Sequence, residues 1–269
     1  MNISIRIAKA SDQEKWDEYV LTHPTGTVFH LTAWKNVVEK TFGHKSLYLI
    51  GERNSSICGI FPIFELKSVL FGHSFISIPF AEIGGILSDN DEIEADLMSR
   101  AINIVESTKA QFLEFRNRAE LPGFKTKSLY VNFKKEITPD DEENLLAIPR
   151  KSRAMVRNAI KKGLVSETGP HLIDEFYKIL ALNYHRLGTP IFPKKFFENF
   201  LKEFGKNAGI LIVRTNEGQL ASAVLYFIFN DQMIPYYAGS DFSFRRLGPN
   251  DFMYWELMRV AVRKNCRIF

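Results

Sequence analysis

The sequence predicts an α/β (α+β) chain built from two similar mixed-sheet units in tandem. Two observations carry this. A hairpin pattern occurs twice, and each copy is followed by a strand, a helix and a further strand in the same order. The composition, 45% apolar and 25% charged with 23 Phe in 269 residues, suits a globular chain with a large core.

The first hairpin runs from Leu47 to Lys67: an apolar strand, the polar turn Asn54-Ser55-Ser56, then a longer apolar strand. The second runs from Gly209 to Phe229 around Asn216-Glu217-Gly218. Next come Ser74–Gly85 in the first half and Gln232–Ser240 in the second, each a strand with an internal Pro and a Gly close after it. A helix follows, opening at Asp89-Asn90-Asp91 and running to about Lys109, or opening at Pro249-Asn250-Asp251 and running to about Lys264. Asn and Asp cap helix starts well, and Pro fits the first turn. A last strand is expected at Phe112–Phe115 and again at Arg267–Phe269.

The first half continues to another apolar stretch, Tyr130–Phe133, which has no counterpart after Phe269. The pattern therefore predicts that the second unit is truncated at its C-terminal strands, leaving an open sheet edge. The predicted division is residues 1–138 and 139–269. The linker lies near Lys135–Ala147, with Pro139, the acidic run Asp140–Glu143 and a short helix.

Charge and cysteine content narrow the function. The net charge of +4 and pI of about 8.9 suit an anionic ligand without demanding nucleic acid. The two Cys, Cys58 and Cys266, form no metal spacing and no disulfide framework, which fits a reducing, cytoplasmic setting. Met1–Ala10 alternates Ile with polar residues and lacks the features of a signal peptide. No run reaches the roughly 18 apolar residues that a membrane span needs. There is no Gly-x-Ser-x-Gly, no phosphate-binding Walker loop and no His-Cys cluster, and the six His are scattered. His30 and Trp34 are expected to pack the first unit.

Four segments are candidates for function. Ile148–Leu164 reads as a helix closed by Gly163, with Arg150, Arg153, Arg157 and Lys161 on one face and Ile148, Met155 and Ala159 opposite. That basic face either binds phosphate or carboxylate or is simply solvated. Pro235-Tyr236-Tyr237-Ala238-Gly239 ends a strand. Arg245-Arg246-Leu247-Gly248-Pro249-Asn250 then enters a helix, where free backbone N–H groups can cradle an anion. The helix carries Phe252-Met253-Tyr254-Trp255, either core or pocket-lining. Arg186–Pro193 joins two helices, the second Lys194–Phe204, and either lines a cleft or only links them.

Taken together, these segments resemble the FemAB family, especially its members associated with PEP-CTERM and exopolysaccharide systems. The residues that carry the resemblance are Phe29-His30 with Trp34, Lys67–Gly72, Pro79-Phe80 with Gly84-Gly85, Arg150–Arg157, Leu187–Pro190, Pro235–Tyr237 and Asn250–Met258. They span nearly the whole chain. The resemblance implies two tandem GNAT-like folds and transfer of an acyl or aminoacyl group to an amine of a cell-envelope precursor, in peptidoglycan or exopolysaccharide assembly. It implies acyl-CoA or aminoacyl-tRNA as donor, with tRNA and a membrane surface as further partners and no metal. The donor and precursor are expected at Arg150, Arg153, Arg157, Tyr236, Tyr237, Arg245, Arg246, Asn250, Tyr254, Trp255 and Glu256. The sequence does not name the catalytic base; Glu256 and Asp251 are either candidates for it or surface and capping residues.

The sequence departs from the family in three ways. The glycine spacing after Arg245-Arg246 is poor for a GNAT pyrophosphate loop. The family's Asp-Phe-Gly strand after Phe269 is not in this sequence, and neither is the long helical arm of some members. A degenerate GNAT fold that binds a precursor without catalysis is the alternative.

Overall fold

A computed structural model describes residues 3–70, 72–118, 120–121, 123–127 and 131–269. The chain divides into two units, Met1–Tyr130 and Val131–Phe269.

In the first unit, β1 (Ser4–Ile7) precedes α1 (Gln13–Thr22) and α2 (Thr32–Phe42). The predicted hairpin follows as β2 (Lys45–Arg53) and β3 (Ser56–Ser68). Its turn residues Asn54 and Ser55 both take positive φ, the conformation that lets a two-residue turn match strand twist. Then come β4 (Gly72–Ile76), β5 (Leu87–Ser88), α3 (Asp91–Ser107) and β6 (Leu113–Glu114). The sheet order is β1-β2-β3-β4-β6, with β5 paired to β3. All pairs are antiparallel except β4–β6, which is parallel.

The hairpin strands are almost continuously apolar because both faces are covered. Leu49, Phe61, Ile63 and Phe75 meet Ile93, Leu97, Ala101 and Val105 of α3. On the other face Tyr48 stacks on Trp16 of α1, with centroids 4.6 Å apart, and meets Phe64 edge-on. His30 and Trp34 are buried, as expected from sequence. Asn90 caps α3 by accepting the Ile93 N–H. Asn90→Ala is expected to cost about 1 kcal/mol in urea unfolding, the usual value of such a cap.

The second unit opens with α4 (Asp141–Leu146) and α5 (Arg150–Lys161). The order of the first unit then recurs: β7 (Val165–Thr168), α6 (Ile173–Leu187), α7 (Lys194–Phe204), β8 (Ala208–Arg214), β9 (Leu220–Phe229), β10 (Gln232–Ser240) and α8 (Pro249–Arg263). The sheet order is β10-β9-β8-β7. Helices α5 and α8 pack on one face against Leu211, Val213, Val224 and Tyr226. Phenylalanines of α7 gather around Tyr237 and Phe227.

Several expectations change. Of the stretch Tyr130–Phe133, Tyr130 lies outside the described residues, as do Phe71 of the Lys67–Gly72 segment and the first two residues. Val131–Phe133 forms no strand. The Ser74–Gly85 strand stops at Ile76, before Pro79, and Phe80 takes a positive φ of 62°. The last strand of the first unit is only Leu113–Glu114.

Lys135–Ile137, read as linker, is bonded to the chain end. Lys135 and Phe269 exchange backbone hydrogen bonds, and the Ile137 N–H donates to Arg267. Ile268 also bridges Gln232 in parallel. The edge expected to lie open at Arg267–Phe269 is therefore paired on both sides. The same pairing places residues 131–138 with the second unit. Sequence could not show it, because the partners are over a hundred residues apart and neither is strongly patterned.

Candidate transferase site

The site is built on β10. This strand carries a β-bulge: Pro235 faces Tyr226 and Tyr237 faces Leu225, so Tyr236 is the extra residue. On its other edge β10 is held at its start, where the Met233 N–H donates to the Ile268 carbonyl at 2.9 Å. Among the described residues, no strand pairs with that edge from Ile234 to Ser240. The last segment and β10 thus begin as parallel neighbours and then part.

Tyr236 and Tyr237 are half-buried, their rings 4.8 Å apart. Tyr237 sits edge-on to Phe197 at 5.3 Å, so α7 fixes its direction. Further along, Gly239 is buried under α6. A Cβ there would lie 3.0 Å from Leu180 Cα and 3.1 Å from the Ile179 carbonyl oxygen. Only glycine lets the helix come this close without shifting.

After β10 the chain makes a 3-10 turn, Phe242–Leu247, started by Asp241, whose carboxylate accepts the Ser243 N–H. Arg245 lies over the Phe242 ring at 4.2 Å and Arg186, from the end of α6, at 5.2 Å. Phe242 is half exposed, so two cations flank an accessible ring. Gly248, at φ 78°, turns the chain into α8. Asn158 of α5 donates to the carbonyls of Arg246 and Leu247, and Ser222 Oγ donates to the Pro249 carbonyl. The entry to α8 is therefore tied to both α5 and β9.

The structure separates the predicted residues of α8. Tyr254 reaches the ring of Phe269, on the side of the last segment. Asn250 is one turn before it on the same helical face. Burial raises the Tyr254 hydroxyl above the ordinary phenol range, so it is a proton-bearing donor at neutral pH. Trp255 and Glu256 instead line an open groove of about 320 Å³ with Ile160, Leu164 and Val165.

Glu256 is engaged there. It accepts Ser166 Oγ at 2.8 Å and Arg259 at 2.9 Å, and Arg259 also meets Asp141 at 2.7 Å. Glu256 and then Asp141 raise the Arg259 pKa further above its usual value. The role of this carboxylate is to join α8 to β7 and α4. Sequence missed Ser166, Arg259 and Asp141, since nothing in their spacing shows that they converge.

The basic helix forms as predicted, with Val156 and Ala159 buried and Gly163 left-handed at its end. Arg150 and Arg157 are exposed. Arg153 donates to the Leu146 carbonyl at 2.9 Å, and Arg157 meets Glu142 at 3.3 Å. Arg157 and Glu142 are both more than half exposed, so the pair holds Arg157 only weakly. Among the described residues no cluster of side chains is suited to a metal ion, and no helix is long and apolar enough to cross a membrane.

Residues 150–269 match the family described as acetyltransferase (GNAT) domain. Over its whole length the chain is similar in structure to FemX, with a TM-score of 0.73 at 18% identity, covering 87% of that chain. It also resembles a tandem GNAT protein from the clavulanic acid biosynthesis pathway, at TM-score 0.57 and 9% identity, covering 99% of this chain and 88% of that one. A third relative in fold is the C-terminal domain of a putative lysylphosphatidylglycerol synthetase from Agrobacterium fabrum. There the TM-score is 0.55 at 12% identity, covering 97% of this chain and 78% of that one. A search of curated proteins gives no significant match. The chain has a FemAB-like tandem GNAT fold. The part of it that matches the GNAT domain, residues 150–269, lies in the second unit.

Proposed function

We propose that the protein transfers an acyl or aminoacyl group to an amine on a cell-envelope precursor, and that the reaction takes place beside the bulge of β10. The observation that carries this reading is the bulged strand running into a helix entered through a left-handed glycine, with Arg245 and Arg246 just before it. Hydrogen-bond donors on β10 and α8 would polarise the carbonyl of the donor and hold the charge that develops on its oxygen. The amine then attacks from the open side, and positioning supplies much of the rate. The N-terminus of α8, with Arg245 and Arg246, would take the phosphates of an acyl-CoA or of an aminoacyl-tRNA. Arg150, Arg153 and Arg157 add a second anionic contact. Asn250, Tyr236 and Tyr237 would line the donor, and Tyr254 would donate a proton. Cell-envelope chemistry is supported by the fold shared with FemX and with the lysylphosphatidylglycerol synthetase domain.

The test is titration with acetyl-CoA and with aminoacyl-tRNA, followed by transfer of a labelled group to a peptidoglycan precursor with a free amine. Arg245→Ala together with Arg246→Ala should weaken donor binding tenfold or more, since charge-assisted hydrogen bonds contribute roughly 1.5–3 kcal/mol each. Folding stability should stay within about 0.5 kcal/mol. Precursor binding with no affinity for either donor would replace catalysis with the binding-only reading.

A further inference from the structure

The turn between β3 and β4 is unlike the other strand turns of this chain. Asn54-Ser55 joins β2 to β3, Asn216–Gly218 joins β8 to β9, and Asn230-Asp231 joins β9 to β10. These are the small polar residues that turns favour. Between β3 and β4 stand Val69, Leu70 and Phe71, the last outside the described residues, and Val69 and Leu70 have relative exposures of 105% and 86%. Both project fully into solvent at the end of a long hairpin arm.

The surroundings are basic. Lys67 stands opposite His73 in the β3–β4 ladder, and both contact Glu65, at 2.7 and 2.9 Å. That carboxylate is therefore balanced within the arm. The chain after α3 runs along β4, since the Gln111 N–H donates to the His73 carbonyl and the Phe112 carbonyl accepts the Phe75 N–H. It brings Lys109 and the half-exposed Phe112 to the same end of the sheet. The backbone of the tip is also prepared to leave water, because the Leu70 N–H donates to Ser68 Oγ at 3.2 Å.

We propose that this tip is a membrane contact, in which Val69 and Leu70 enter the interfacial layer of an anionic bilayer and Lys67 and Lys109 meet its headgroups. The side chains of Val69 and Leu70 offer far less than the roughly 800 Å² per partner of a stable protein interface. Shallow insertion combined with basic residues is what binding to a lipid surface requires. The contact does not depend on the transfer reaction.

Flotation with vesicles of phosphatidylglycerol and phosphatidylcholine, compared with phosphatidylcholine alone, tests it without donor or acceptor. The full chain should float with the anionic vesicles, less so at high salt. Val69→Asp with Leu70→Asp should lower the bound fraction at least tenfold with an unchanged unfolding midpoint. Lys67→Glu with Lys109→Glu should abolish the preference for anionic lipid. Leu70→Trp should shift its emission to the blue on anionic vesicles. The proposal is overturned if the unaltered chain ignores anionic vesicles, or if the double aspartate variant floats as the unaltered chain does. A dimer in light scattering that the same variant dissolves would overturn it in favour of a protein partner.

Discussion

Between pH 7 and pH 5 the first unit is expected to lose about 2 kcal/mol of stability, most of it through His30. The ring is almost fully buried. Its Nε2 lies 3.1 Å from the Gly85 carbonyl, which can only accept, so Nε2 carries the proton and Nδ1 accepts from Thr27 Oγ1 at 2.7 Å. Both ring nitrogens are thus satisfied in the neutral form. Burial, with a smaller push from Arg118 and His23, lowers the pKa from 6.5 to about 3. The unfolded chain takes up a proton below pH 6.5 while the folded one does not, so stability falls as pH falls, by about 1.4 kcal/mol per unit. His44, also lowered by burial, adds in the same sense. Asp17 and Glu82, raised by burial, oppose the loss only in the carboxylate range. Urea unfolding followed by tryptophan fluorescence reads this unit well, because Trp16 and Trp34 belong to it. His30→Gln should flatten most of the slope. A wild-type profile already flat from pH 7 to pH 5, or an undiminished slope in the variant, would falsify the assignment.

The same histidine shows what the sequence could and could not convey. Phe29-His30 and Trp34 pointed to packing in the first unit, and the structure gives the reason. Trp34 Nε1 donates to the Pro79 carbonyl and the His30 ring to the Gly85 carbonyl, so an indole and an imidazole hold the chain after β4, and Trp16 Nε1 in turn holds the His30 carbonyl. The hairpins were legible because long apolar strands with polar turns are a local signal. Helix α8 and its Gly248-Pro249 entry were legible because capping is also local. The short edge strands β1 and β7 were not, since four partly polar residues become a strand only by pairing with β2 and β8. The pairing of Lys135–Ile137 with Arg267–Phe269 was hidden for the same reason. Within the site, the aromatic and basic segments were visible, but the direction of each side chain was not. Tyr254 and Trp255 are adjacent in sequence yet meet different neighbours, Phe269 for the first and the groove beside Ile160 for the second. Glu256, a reasonable base by residue type, is committed to Ser166 and Arg259.

Replacing Gly248 is expected to cost the second unit more than any other single change at the site, and to disable donor binding with it. Two independent effects add. Gly248 has φ 78° and ψ 37°, the left-handed region, where an alanine loses about 1–2 kcal/mol. A Cβ there would also lie 3.0 Å from both Cε and the carbonyl oxygen of Met155 and 3.2 Å from its Cβ. The methionine end can bend away but the α5 backbone cannot, and crowding of this kind costs about 1–3 kcal/mol. Gly248→Ala should therefore lose about 2–5 kcal/mol in denaturant unfolding followed by circular dichroism. Gly248→Asn should lose less than alanine, because asparagine tolerates the left-handed region while meeting the same Met155 contact. The functional consequence follows from the ties around the glycine. The Gly248 carbonyl accepts the Phe252 N–H in the first turn of α8, and Asn158 holds the carbonyls of Arg246 and Leu247. If α5 and α8 are pushed apart, the two arginines move away from the helix N-terminus, and acetyl-CoA affinity should drop tenfold or more. The Asn variant should retain more of it, in step with its stability. Alanine and asparagine variants both within about 0.5 kcal/mol of the unaltered protein would sink the packing argument. Lost stability with full donor affinity would instead move the donor away from this end of α8.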